Sequence, residues 1–193
     1  MRRPLILALA LVAIAAVADA APRVRLQTNY GEIVLELYEN EAPITVSSFL
    51  DNVRDGFYDD TIFHRVVSGF MLQGGGYDRE ERLKPTDLKL PNEADNGIGN
   101  DRGTVAMARK ADPNSASVQF FVNLVANDYL NHTAKTPRGW GYTVFGKVVE
   151  GMEVVDAIAA VPVRPSGLSE AQPLEPVVLE KAEVLGGGEP VDE

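Results

Sequence analysis

Apolar positions recur with two different periods along this chain, and the switches between them mark its elements. Residues 24–28 (Val24-Arg25-Leu26-Gln27-Thr28) and 32–38 follow the period of two of a strand, with Asn29-Tyr30-Gly31 turning one into the other. From Pro43, a residue suited to the first helical position, Val46, Phe49, Leu50, Val53 and Phe57 recur at helical spacing up to a stop near Gly56. Residues 61–73 read as a hairpin turned at Ser68-Gly69. Phe63, Arg65 and Val67 alternate with His64 and Val66, and beyond the turn Phe70 and Leu72 alternate with Met71 and Gln73. Further strands are predicted at 104–109, 118–123, 142–148 and 176–185. A short turn or helix is expected at Asn127-Asp128-Tyr129-Leu130. A second helix runs through Met152, Val155 and Ile158 and is ended by Pro162 and Pro165. The pattern predicts a mainly β fold: a closed eight-stranded antiparallel β-barrel capped by two α-helices, an arrangement that removes sheet edges.

Composition narrows this picture. The 193 residues suffice for one domain with a core, and no internal repeat is visible. A formal net charge of −10 leaves no basic footprint for nucleic acid. Cysteine is absent, which excludes disulfides, thiolate catalysis and zinc knuckles. Arg2 and Arg3 followed by the apolar run from Leu5 to Ala18 and by Ala18-Asp19-Ala20 have the layout of a secretory signal peptide. The expected organisation is a signal at 1–20, cleaved between Ala20 and Ala21, a domain at 21–185 and an acidic tail at 186–193. The product would be periplasmic or secreted. The alternative is an uncleaved N-terminal anchor.

The candidate chemistry sits in the 61–73 hairpin, which can carry a cation, an aromatic ring, a thioether and an amide towards one pocket, with no obvious nucleophile or metal-ligand cluster. The stretch Phe63-His64-Arg65-Val66-Val67-Ser68-Gly69-Phe70-Met71-Leu72-Gln73-Gly74-Gly75-Gly76 resembles a signature of the cyclophilins, the peptidyl-prolyl cis-trans isomerases. Residues 104–109 with 117–123, and then Tyr142-Thr143-Val144-Phe145-Gly146-Lys147-Val148, resemble two further family blocks in family order. The resemblance spans roughly residues 23–185.

This resemblance implies rotation about X-Pro bonds in polypeptides, without a cofactor or metal. It places Arg65 at the catalytic arginine position and Phe70, Met71, Phe121 and Leu130 around the proline ring. Gln73 and Gln119 would hold the substrate backbone, and Ala108 and Arg109 would align the peptide. Arg109 stands where many members carry asparagine, Tyr129 where many have tryptophan, and Tyr142 where many have histidine. The tyrosine at 129 implies weak cyclosporin binding, and Trp140 does not replace the missing indole by position. The expected partners are unfolded or partly folded proline-containing polypeptides, met by a monomer.

Other readings remain beside this one. The same pocket can grip proline segments as a chaperone or scaffold with little turnover, although pure binding needs no cation at the prolyl nitrogen. A calcium module in the polar, turn-rich stretch 74–103 lacks the spacing of an EF-hand loop. A histidine-based hydrolase lacks a motif that places a serine or acidic partner. His64 is therefore expected to be buried and structural, and His132 to be exposed.

Overall fold

The computed structural model describes residues 21–185, so the predicted signal and acidic tail lie outside the described residues. The strands are β1 (Arg23–Thr28), β2 (Gly31–Leu37), β3 (Thr61–Ile62), β4 (Arg65–Val67), β5 (Met71–Gly74), β6 (Thr104–Met107), β7 (Phe120–Asn123), β8 (Val144–Glu150), β9 (Val163–Arg164), β10 (Gln172–Pro173) and β11 (Val178–Leu185). The two helices are α1 (Pro43–Arg54) and α2 (Met152–Ala159).

Nine strands form one antiparallel sheet in the order β3-β11-β1-β2-β8-β6-β7-β5-β4. Its two outermost strands, β3 and β4, are joined by only Phe63 and His64. A sheet whose ends are tied by two residues must curl back on itself, which gives the barrel-like form. The ninth strand arises because the first arm of the predicted hairpin breaks at Phe63-His64. That break also changes the facing. Phe63 joins Val66 and Leu72 in the main core, while Arg65 stays with Gln73 on the other side. The expected alternation of Phe63 with Arg65 on one face is thereby corrected. The small β9–β10 hairpin, which the sequence pattern does not predict, follows α2 in the segment that contains Pro162 and Pro165.

The main core is rich in rings. Phe49 on α1 meets Phe120 edge-on at 5.6 Å and Phe145 at 5.0 Å. The fully buried Tyr58 donates its hydroxyl to the Val118 carbonyl at 3.0 Å. As the stripe predicted, α1 buries Val46, Phe49, Leu50 and Val53, and Phe57 packs against the core from the turn that follows. The residue before α1, Ala42, supplies no side-chain cap. Glu93, far along the chain, accepts from Ile44 N at 3.0 Å, Thr45 N at 2.8 Å and the Thr45 hydroxyl at 2.7 Å. A carboxylate there satisfies orphan amides and complements the positive helix end. The long 74–103 stretch is thus ordered, and several of its acids are engaged within the protein, among them Asp78 with Arg82 and Asp95 with Lys135. Among the described residues, no group of three or more His, Cys, Asp or Glu is placed to hold a metal ion.

His64 is buried, 4.7 Å from the Tyr77 ring, with Nδ1 unpartnered. Burial, reinforced by the neighbouring Arg65 charge, pushes its pKa down to about 4. The unfolded histidine titrates near ~6.5. Between these values the unfolded chain binds a proton that the folded chain does not. Stability should therefore fall as pH drops from about 6.5 towards 4, by up to about 3 kcal/mol, and this contribution should flatten below. The difference between urea midpoints at pH 7 and pH 4.5 should be smaller for His64→Asn than for the unmodified chain. His132, expected to be exposed, is instead half-buried, with Nδ1 3.0 Å from the Trp140 carbonyl and its ring 5.2 Å from the indole.

Candidate active site

Strand register builds the site. Leu72 of β5 lies opposite Val122 of β7, which lies opposite Val105 of β6, and all three point into the main core. One residue away, the other face carries a continuous row: Arg65 opposite Gln73, Gln73 opposite Phe121, Phe121 opposite Ala106. Met71, Ala106, Phe121, Leu130 and Val144 form a second, smaller apolar cluster there, flanked by Phe70, Ala108 and Tyr142. Phe70 departs from the predicted alternation. It belongs to the turn rather than to β5, so it reaches the same side as Met71.

These side chains line a pocket of about 170 Å³, comprising Arg65, Phe70, Met71, Gln73, Ala108, Arg109, Phe121, Leu130 and Tyr142. Drug-sized ligands fill ~300–1,000 Å³, so this volume suits one small apolar group. A larger hollow of about 580 Å³ beside α1, lined by residues such as Ser47, Asp51 and Leu88, holds no cation or aromatic side chain and offers no comparable chemistry. Of the predicted site residues, Gln119 and Tyr129 do not line the small pocket. The Oε1 of Gln119 accepts from Gln73 Nε2 at 2.9 Å, which turns the Gln73 carbonyl oxygen towards Arg65 Nη1, 3.5 Å away. Gly76 makes this possible, since a Cβ there would lie 2.4 Å from the Gln119 side chain. Tyr129 is 73% exposed and stacks on Phe70 with 5.9 Å between centroids. Trp140 packs with His132 and Lys135, apart from the pocket lining.

The guanidinium of Arg65 is held on several sides. Its carbon lies 5.6 Å from the Phe70 centroid, and Nη1 is 3.8 Å from Met71 Sδ. Nε and Nη2 both reach Glu170 Oε1, at 2.7 and 2.5 Å. Glu170 was missed by the sequence reading because it lies 105 residues from Arg65, beyond any local pattern. Its placement follows from the docking of its loop: Ala171 accepts from Val66 N at 2.8 Å, and the Ser169 hydroxyl donates to the His64 carbonyl at 2.9 Å. The Arg65 hydrogen bond holds the Glu170 carboxyl below its ordinary pKa, so the pair persists at neutral pH and is lost in acid as the carboxyl protonates. Glu170→Ala should lower kcat/KM on an X-Pro peptide about threefold, because the pair is largely exposed and worth little by itself. Glu170→Asp should recover part of the loss.

A buried amide network, also missed, fixes the opposite rim. Asn127 Nδ2 donates to the Phe70 carbonyl at 3.1 Å and to Asn123 Oδ1 at 2.8 Å, while Asn123 Nδ2 donates to Thr104 Oγ1 at 2.9 Å. It ties the Phe70 turn to the single helical turn carrying Tyr129 and Leu130. On the far wall, Arg109 lies 4.8 Å from the Tyr142 ring centroid and donates from Nε to the Gly141 carbonyl at 2.8 Å.

Comparison with known proteins agrees with this geometry. The family model described as cyclophilin type peptidyl-prolyl cis-trans isomerase/CLD matches residues 23–184. The chain belongs to the cyclophilin family. A peptidyl-prolyl cis-trans isomerase of Streptomyces antibioticus is 56% identical over 163 residues, covering 84% of this chain and 98% of the relative. Peptidyl-prolyl cis-trans isomerase B of Escherichia coli is 49% identical over 161 residues, covering 83% of this chain and 98% of the relative. A solved cyclophilin-type isomerase of Cryptosporidium parvum, crystallised in the presence of the dipeptide Ala-Pro, superposes with a TM-score of 0.70 at 26% identity, covering 86% of this chain and 99% of the other. This cyclophilin is accordingly a peptidyl-prolyl cis-trans isomerase.

Proposed function

We propose that this cyclophilin isomerises X-Pro bonds in exported polypeptides, with Arg65 as the residue that stabilises the twisted amide. Rotation about the bond crosses a barrier of ~18–20 kcal/mol because twisting removes amide resonance. No covalent bond is made or broken, so no nucleophile or redox group is required. The catalyst must bind the twisted amide better than the planar one. As the amide twists, the proline nitrogen pyramidalises and regains a basic lone pair. A permanent cation aimed at that nitrogen then interacts more strongly with the transition state than with the ground state. Phe70, Met71, Phe121 and Leu130 would receive the proline ring and exclude water, Gln73 and Gln119 would hold the backbone, and Ala108 with Arg109 would align the chain.

The observation that carries this reading is Arg65 itself. Its Nη1 faces Met71 and Gln73 at the pocket wall, while Nε and Nη2 are occupied by Glu170 behind it. The Nη1 edge is therefore held only by long contacts, at 3.5 and 3.8 Å, beside an apolar floor, where a substrate nitrogen can compete for it. The test is exchange spectroscopy on a short X-Pro peptide with the unmodified chain. Accelerated cis-trans exchange supports turnover, whereas saturable binding without acceleration would leave a proline-binding chaperone.

Export rests on Arg2-Arg3, the apolar run and Ala18-Asp19-Ala20. Expression of the full chain in a bacterium should yield a periplasmic or secreted product whose first residue is Ala21. An intact membrane-bound N-terminus would instead identify an anchor. A monomer with weak cyclosporin affinity completes the reading, the latter because the exposed Tyr129 lacks an indole N–H.

A further inference from the structure

A second groove, of about 720 Å³, opens beyond the wall of the proline pocket. The two share Arg109, Leu130 and Tyr142, so a residue flanking a proline in the first lies beside the second. Its remaining walls include Lys110, Arg138 and the exposed Tyr129.

The charge of this groove is unusual for the chain. The protein is acidic overall, at −10, and many of its cations, among them Arg65, Arg79, Arg82, Arg102 and Lys135, are paired with carboxylates. Among the described residues, Arg109, Lys110 and Arg138 have no carboxylate within ion-pair distance. Arg109 is fixed in place by neutral acceptors alone: the carbonyls of Gly141, Lys110 and Pro137, with Tyr142 beneath it. Asp112, two residues beyond Lys110, accepts from Asn114 N at 3.0 Å within its own turn. Three cations thus face one groove without local neutralisation, beside tyrosines that can pack along a peptide stem.

We propose that this groove is a subsite for a carboxylate side chain flanking the substrate proline, making the enzyme selective for acidic X-Pro segments. A polyanion such as nucleic acid fits less well, because the chain's net charge of −10 repels an extended run of negative charge. One carboxylate next to the proline meets the cations and avoids that penalty. The proposal rests on the isomerase reading for the position of the proline.

The test uses the full chain and a panel of short proline peptides with Glu, Gln or Lys at each of the two positions on either side of the proline. Affinity is read by titration and turnover by exchange spectroscopy. At one or more positions Glu should be preferred over Lys by about three- to tenfold in affinity and in kcat/KM at low salt. The preference should shrink as salt screens the exposed cations. The double variant Lys110→Gln, Arg138→Gln should lower the Glu-to-Lys ratio by about twofold or more, with Arg109 sustaining what remains. Equal affinity for all three peptides at every position would overturn the subsite, as would a preference left undiminished in the double variant. The Gln peptides report separately on isomerisation. If they bind without accelerated exchange, turnover fails while the Glu-to-Lys affinity ratio still decides the subsite.

Discussion

Arg65→Ala is expected to lower kcat/KM on an X-Pro peptide by about 10²–10³-fold, the range seen when one donor that stabilises transition-state charge is removed. The scale follows from the barrier. Uncatalysed rotation takes on the order of 10–100 s. An acceleration of about ten-thousandfold requires only ~5.5 kcal/mol of preference for the twisted amide. A single cation can supply a large part of so small a requirement, with water exclusion and positioning supplying the rest. Arg65→Lys should recover little of the loss. An ammonium keeps the charge but cannot donate backwards to Glu170 while presenting a second nitrogen to the pocket. The fold should survive the change to Ala, since Arg65 lies on the outer face of the sheet and the core beneath it is formed by Val66 and Leu72. An unchanged urea midpoint together with lost turnover would separate this role from a structural one. Retained turnover in a folded Arg65→Ala variant would remove the arginine from the mechanism.

Period-two patterning made most of the pocket legible in the sequence. Met71, Gln73 and Phe121 share a face because strands alternate and pair in register. The same rule failed at Phe63 and Phe70, for one reason: both lie outside strands, at the interruption between β3 and β4 and in the turn before β5. Alternation says nothing about residues that do not pair. Glu170 and the Asn127–Asn123 network were illegible for a different reason. Their contacts join segments far apart in the chain, and a surface glutamate or a buried asparagine carries no local signature of its partner. Glu93 shows the same limit at α1, where the residue preceding the helix offers no cap and a distant carboxylate provides one. The resemblance to the cyclophilins located the pocket, but the shell that orients it is visible only in three dimensions.

The wall between the two grooves depends on one backbone position. Gly141 has φ +71°, a conformation that side chains disfavour. A Cβ built on it would lie 2.6 Å from Asn131 C, His132 N and the Leu130 carbonyl oxygen, all of them backbone atoms that cannot swing aside. Gly141→Ala must therefore push residues 130–132 away from Tyr142 and stretch the Tyr142 N to Leu130 O hydrogen bond, now 3.0 Å. Three further contacts anchor the same segment. Arg109 and Asn92 both donate to the Gly141 carbonyl, at 2.8 and 3.2 Å, and Asn131 Oδ1 accepts from Asn100 N at 2.7 Å. With so many partners fixed, the strain has few outlets, and a stability loss of about 2–4 kcal/mol is expected. The functional consequence should exceed what that loss implies. Leu130, Arg109 and Tyr142 line both grooves, so a shift of this wall widens the proline site and displaces a cation together. In the fraction that remains folded at low temperature, peptide affinity should fall by about tenfold, with the exchange rate of bound peptide falling as well. Titration of Gly141→Ala and, as a control, Gly97→Ala distinguishes this outcome from general strain. Gly97 has φ +82° but open space around its Cβ position, and a substitution there should cost stability without moving the pocket. If Gly141→Ala bound peptide as tightly as the unmodified chain, the rigid wall would not be what shapes the site.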